Sequence, residues 1–286
     1  MSTPSTPPGA ADQAVPTCPR HPDRVSYVRC QRCGRPACPE CSVPASVGVQ
    51  CVDCVREAQR TAPVHRTALG APLRGGRPVV TITIIALCLV SYVLQLSMGW
   101  EDWTSRLAFA PVLGDLEPWR FVTAAFVHST SFFHIALNMY ALWIVGPYLE
   151  NLLGRARFIC LYLLSAIGGQ VAVVLLADPT GTSWFTATVG ASGAVFGLFG
   201  AIFVVMRRMG QEARGMLVII GLNLVVGFVV PTISWQGHLG GLVTGTVLGA
   251  AYSFAPRERR ALVSVSATVV VAAVLVGATL LRYSQV

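Results

Sequence analysis

From Val79 onward the chain runs through seven apolar stretches, near 79–98, 121–149, 156–177, 191–206, 215–231, 237–254 and 261–281. A helix needs roughly 20 apolar residues to cross a hydrocarbon layer about 30 Å thick. Most of the stretches qualify, and the fourth is short. In lipid, backbone polar groups have to be satisfied within the segment itself, so spans of this length fold as helices. Residues are 53% apolar and only 12% charged, against about 25% charged in a soluble domain. No single soluble core buries this much apolar sequence. A disordered chain, a coiled coil and an ordinary cytosolic enzyme are excluded, and the fold class expected is an all-α polytopic membrane protein.

The charge is uneven. Residues 1–78 hold ten Arg against five acids, residues 79–286 hold eleven Arg against eight, and Lys is absent. The expected organisation is a disordered Ser/Thr/Pro/Ala-rich tail (1–17), a metal-binding module (18–56), a linker (57–78) and a seven-span membrane domain (79–286, core 79–254). The tail has no apolar run of the kind a signal peptide requires. Arg74 and Arg77, then Arg155 and Arg157, then Arg207, Arg208 and Arg214, then Arg257, Arg259 and Arg260 fall in alternate inter-span segments. The positive-inside rule puts those segments and the N-terminus in the cytoplasm and the C-terminus outside, in a plasma or inner membrane. The net charge of +8 then reads as a topology signal, and no nucleic-acid partner is expected.

Seven of the nine Cys and one His form four x2-spaced pairs: Cys18/His21, Cys30/Cys33, Cys38/Cys41 and Cys51/Cys54. Two ligands two residues apart sit on one tight knuckle and grip one face of a tetrahedral ion, so eight ligands imply two structural Zn²⁺ sites. Gly34 suits the turn closing such a knuckle. Disulfides are disfavoured by the reducing cytoplasm. A module this small has little core, so metal supplies most of its folding energy. An unidentified cytoplasmic partner is the default role. Cys88 and Cys160 lie in apolar spans and read as packing residues, and His65 as a solvated linker residue.

Polar residues inside spans are costly and are functional candidates. Every acid after residue 79 lies in a loop or at a span end, which disfavours a proton-coupled transporter or a charge-lined channel. Inside the spans stand His134 and Asn138 on the second, Ser192 opening the fourth and His238 opening the sixth. At about 1.5 Å per residue, His134, Ser192 and His238 lie about 24, 22 and 26 Å from their cytoplasmic ends, a shared level near the outer face. Asn138 is one turn deeper than His134 on the same helix face. The fourth helix is too short to cross, so 178–190 has to dip into the outer leaflet, where irregular backbone needs protein or a water-filled cavity around it. Its N-terminus offers free N–H groups for a developing oxyanion. Small-residue stripes (Gly193, Gly197, Ala201 and Gly237, Gly241, Gly245, Gly249) let the fourth and sixth helices approach closely.

The ordered set Trp119-Arg120, His134-x-x-x-Asn138, Gly190-x-Ser192-Gly193 and Gly237-His238-x-x-Gly241-x-x-x-Gly245 resembles the rhomboid intramembrane serine proteases over roughly residues 79–254. The resemblance implies a six-helix bundle plus one C-terminal transmembrane helix and cleavage of transmembrane protein substrates near the outer face of the bilayer. Ser192 would be nucleophile and His238 its general base, forming a dyad that needs no cofactor. His134, Asn138 and the Ser192 N–H would form the oxyanion hole. Phe196 would stack on the imidazole, at a position where the family often has tyrosine, and Gly190, Gly193 and Gly241 would support the site. Trp119 and Arg120 read either as part of an outer loop beside the site or as interfacial anchors. His128 is expected nearer the outer surface, and Glu150 is expected as a hydrogen-bond partner within the bundle. A catalytically inactive binder of transmembrane segments is the alternative. The Cys/His pattern resembles a B-box-type or RING-like zinc finger. That likeness implies a cross-brace, with Cys18/His21 joined to Cys38/Cys41 and Cys30/Cys33 to Cys51/Cys54; the spacing itself equally allows sequential pairing.

Overall fold

The computed structural model describes residues 15–61, 66–73, 76–230 and 232–286. Residues 1–14 of the expected tail, His65 and Arg74 lie outside them. The chain divides into two units, Met1–Val64 and His65–Val286.

In the first unit, β1 (Thr17–Cys18) pairs antiparallel with β2 (His21–Val25), and β3 (Ser42–Pro44) with β4 (Val49–Cys51). Helix α1 (Val52–Thr61) follows, so helix continues five residues into what the sequence reads as linker. The buried residues here are chiefly the cysteines themselves, with Ala37 and Ser26. That is too little apolar area for an independent core.

The second unit is a helical bundle: α2 (Val79–Met98), the short α3 (Ser105–Leu107) and α4 (Arg120–Thr123), then α5 (Phe132–Leu153), α6 (Arg155–Leu176), α7 (Ser192–Arg208), α8 (Arg214–Val229), α9 (Trp235–Phe254) and α10 (Arg260–Tyr283). Seven of these answer to the seven apolar stretches. Those covering Val79–Met98, Phe132–Leu153, Arg155–Leu176 and Arg257–Tyr283 are long and apolar enough to cross a membrane by length and composition. The second stretch is not one helix. Residues 120–126 form a short helix and a 3-10 turn, and α5 starts only at Phe132. The intervening Ser129-Thr130-Ser131 run explains the break, because hydroxyl side chains offer the backbone alternatives to helical hydrogen bonds.

Helix α9 packs against both α6 and α7, and the glycine stripes make this possible. A Cβ on Gly241 would run into the Gly193 carbonyl, and one on Gly245 into the Gly197 backbone. Gly245→Val is therefore expected to force α7 and α9 apart and destabilise the bundle by about 1–3 kcal/mol, the usual cost of overpacking. Gly221→Ala on α8, where an added Cβ meets nothing within 4 Å, should leave thermal unfolding in detergent unchanged. Equal melting of the two variants would contradict this packing.

Glu150, 3% exposed, has the bundle role expected of it. Its carboxylate accepts from the Val80 and Thr81 amides at 3.0 and 2.8 Å and from the Thr81 hydroxyl at 2.8 Å. It thereby caps the first turn of α2, whose amides have no partner within their own helix. The expected linker is also ordered over 66–73. Leu69 and Ala71 are buried, the Thr67 hydroxyl donates to the Leu152 carbonyl at 2.8 Å and Arg157 Nη2 to the Leu69 carbonyl at 2.9 Å.

Candidate active site and metal centres

Three first turns meet at one end of the bundle. Ser192 is the first residue of α7, His134 the third of α5 and His238 the fourth of α9. The segment entering α7 is held by surrounding protein. Phe109 and Thr188 exchange backbone hydrogen bonds (3.1 and 2.6 Å), the Thr188 hydroxyl donates to Gln170 at 2.8 Å, and the Gly190 amide donates to the Ala124 carbonyl at 2.9 Å. Gly190 has φ +123°, and a Cβ there would sit 2.7 Å from His134 Nε2 and 3.8 Å from Ser192 Oγ. Only glycine adopts this backbone without strain while leaving the space between the two side chains open.

The His238 ring stacks on Phe196, with centroids 4.1 Å apart and planes 14° from parallel. Its Nδ1 faces α8, 3.4 Å from where a Gly227 Cβ would lie, and has no hydrogen-bond partner among the described residues. The imidazole is thus positioned by packing, with Nε2 left for other work. Gly193 and Gly237 bring the two backbones together beside it: a Cβ on Gly193 would lie 3.3 Å from the Gly237 carbonyl oxygen. Ser192 and His238 make no hydrogen bond to each other among the described residues. Such bonds are often long in free enzymes and tighten on binding. Ser192 is half-buried, and so within reach of a ligand, whereas His238 is buried.

His134 Nδ1 accepts from the Ser129 backbone N–H at 3.2 Å and lies 2.9 Å from the Ser129 hydroxyl. A backbone amide can only donate, so Nδ1 is the acceptor and the neutral ring carries its proton on Nε2, the atom nearest Gly190. Asn138 is buried and donates one amide hydrogen to the His134 carbonyl at 2.8 Å, which leaves its second hydrogen free. His128 is fully buried, edge-on to His134 at 5.3 Å. Arg120 is no interfacial anchor. Buried to 6% exposure, it donates to the Ser105 and Ala108 carbonyls at 2.6 Å each and pairs with Glu117, stapling the loop between α2 and α5. Trp119 is exposed. Ser129 and Gly227 are parts of the site that the sequence alone did not single out. Neither belongs to a spaced motif, and only their contacts disclose them. The far end of α10 bears on the same region, with the Tyr283 hydroxyl donating to the Pro111 carbonyl at 2.7 Å and Arg282 to the Ala177 carbonyl at 2.9 Å.

In the other unit, Cys18, His21, Cys38 and Cys41 gather in one cluster and Cys30, Cys33, Cys51 and Cys54 in another, with ligand atoms within 4.8 Å of one another in each. This is the cross-braced pairing, and the backbone produces it. The Ser26 amide donates to the Pro16 carbonyl beside the first knuckle and the Ser26 hydroxyl to the Ala37 carbonyl beside the third, drawing these two together. The Gln31 amide donates to the Val49 carbonyl, tying the second knuckle to the strand that ends at Cys51. Gly34, at φ +73°, closes the second knuckle with its amide on the Cys30 carbonyl.

The donors fit a tetrahedral ion. Two sulfurs bound at about 2.3 Å to one centre lie about 3.8 Å apart; Cys33 and Cys51 sulfurs are 3.7 Å apart, and His21 Nδ1 is 3.2 and 3.4 Å from Cys38 and Cys41. Backbone amides, led by that of Cys38, hold the Cys18 thiol down to about 6, while burial pushes Cys41 up to about 11.

The rhomboid-domain family model matches residues 115–255, the part of the chain holding α5 to α9. The chain is 34% identical over 197 residues to the rhomboid protease GluP of Bacillus subtilis, covering 65% of this chain and 37% of that one. It is 30% identical over 185 residues to rhomboid-like protease 3 of Toxoplasma gondii (61% and 68%). It is 27% identical over 180 residues to the rhomboid protease GlpG of Haemophilus influenzae (59% and 88%). The chain thus spans little more than a third of GluP and most of GlpG. Helical bundle, ordered motifs and relatives agree: the chain belongs to the rhomboid family.

Proposed function

We propose that the chain is an intramembrane serine endopeptidase that cleaves transmembrane protein substrates near the outer membrane face. The observation that carries this is the convergence of the first turns of α5, α7 and α9, with His134 and Ser192 on either side of Gly190 and His238 packed on Phe196 beside the Gly193–Gly237 approach. Ser192 Oγ attacks the scissile carbonyl while His238 Nε2 takes its proton, then gives that proton to the leaving amine. Water, activated by the same base, releases the acyl group. Phe196 and Gly227 keep the imidazole in place where another hydrolase would use a carboxylate. The oxyanion faces His134 Nε2–H, the free Asn138 amide hydrogen and the Ser192 backbone N–H at the positive end of α7. A substrate helix has to unwind locally, because its peptide carbonyls are already hydrogen-bonded and sterically shielded.

The two Cys/His clusters hold structural Zn²⁺, which supplies folding energy to the N-terminal module and takes no part in hydrolysis. That module faces the cytoplasm, where it serves an unidentified partner, and α10 ends outside. In membranes, a fluorophosphonate probe is expected to label the wild-type chain and not Ser192→Ala. Equal labelling of both, or of neither, would favour the inactive binder of transmembrane segments.

A further inference from the structure

At the end of the bundle opposite Ser192 lies a cavity of about 360 Å³ whose lining includes Arg77, Arg155 and Arg157. Its position follows from the sharp turn at Gly154 (φ +85°), which ends α5 and begins α6. Glycine carries no side chain to cap α6, so the first-turn amides of this 22-residue helix face outward uncapped, with the positive end of its dipole. Arg155 and Arg157 lie on that turn, and Arg77 comes from the residue before the α2 cap. Glu150 also lines the cavity, but its carboxylate is held by three donors from α2 and stands 3.8 Å from Arg155. Arg157 Nη2 is engaged by the Leu69 carbonyl, while its Nη1 is buried with no partner among the described residues.

Three arginines, one of them with an idle buried N–H group, beside an uncapped helix N-terminus make a site for an oxyanion. Its depth indicates which kind. At about 1.5 Å per residue, the 22 residues of α5 and of α6 each reach about 33 Å, enough to cross a hydrocarbon core of about 30 Å. The Gly154 turn therefore lies at the headgroup layer, where phosphates are concentrated. Basic pockets at such positions bind anionic headgroups, and Leu153, Ala71 and Pro72 give this one apolar walls.

We propose that this cavity binds the phosphate of an anionic lipid headgroup. The site depends on the chain spanning a bilayer and is independent of the chemistry assigned to Ser192. The test is native mass spectrometry of the delipidated full chain, titrated with phosphatidylglycerol, phosphatidylcholine or glycerol 3-phosphate. Wild type is expected to take up one phosphatidylglycerol in preference to phosphatidylcholine. Arg77→Gln with Arg155→Gln should weaken that binding about thirtyfold, each guanidinium contributing about fivefold, while the corresponding Lys pair retains most of it. Both side chains are exposed, and Arg77→Gln, which leaves the Arg155–Glu150 pair intact, should melt without lipid as wild type does. Should the Gln pair unfold, Arg77→Gln alone carries the test with about a fivefold loss. Unchanged phosphatidylglycerol binding in the Gln variants, or equal uptake of phosphatidylcholine, would overturn the proposal. Displacement of phosphatidylglycerol by equimolar glycerol 3-phosphate would assign the phosphate site to a soluble ligand and overturn the lipid.

Discussion

Cleavage of a transmembrane substrate in proteoliposomes is expected to fall by at least about 10⁴-fold when Ser192 becomes alanine, and to a similar degree when His238 does. The double variant should be no worse than either single one. Nucleophile and base act as one unit, so that removing either leaves only the contribution of binding and oxyanion donors. The reason to expect strict interdependence is that Nδ1 of His238 has no partner among the described residues and the ring is fixed by Phe196 and α8. Among the described residues no carboxylate stands behind it to sustain part of the activity. The measurement is the initial rate of product appearance, with folding checked by thermal unfolding. Additive losses in the double variant would contradict a dyad.

Metal removal should have the largest effect on folding. Two equivalents of zinc per chain are expected on acid release, and a strong chelator at neutral pH should unfold residues 15–61 while leaving the helices of the membrane unit intact. Structural zinc in small domains contributes about 10–16 kcal/mol of apparent binding energy at pH 7, far more than the few buried residues of this module can replace. The pH dependence follows from the thiolates. The ligand thiols bind metal only when deprotonated, so protons compete with the ion, and acidification is expected to release the metal and unfold the module together. Limited proteolysis alongside metal analysis follows both events. Absence of metal, or a module that resists protease equally with and without chelator, would contradict the assignment.

The helices were readable from the sequence because membrane insertion imposes one dominant variable, apolar length. The start of α5 was not: Phe121 to Val127 is as apolar as a span, and only the hydroxyl run before Phe132 separates them. The meeting of His134, Ser192 and His238 could be reasoned from depth, since each can be counted from a charged end. The glycine stripes foretold the close approach that the Gly193–Gly241 and Gly197–Gly245 contacts realise. What sequence could not supply was anything set by a single contact. The tautomer of His134 depends on one amide of Ser129, and the stapling role of Arg120 depends on carbonyls 12 and 15 residues away. Zinc pairing was undecided for the same reason, because single hydrogen bonds invisible in the spacing, from the Ser26 hydroxyl to Ala37 and from the Gln31 amide to Val49, accompany the cross-brace.

The Glu150 cap carries a consequence for biosynthesis. Val80 and the carboxylate that satisfies its amide are 70 residues apart, so α2 leaves the ribosome long before its cap exists. Until α5 has been made through to its last turn, the leading end of the first span must keep its amides in water or among headgroups. The arrival of Glu150 then draws that end into the bundle, which makes the seating of the first helix a late event, timed by the completion of the second long one.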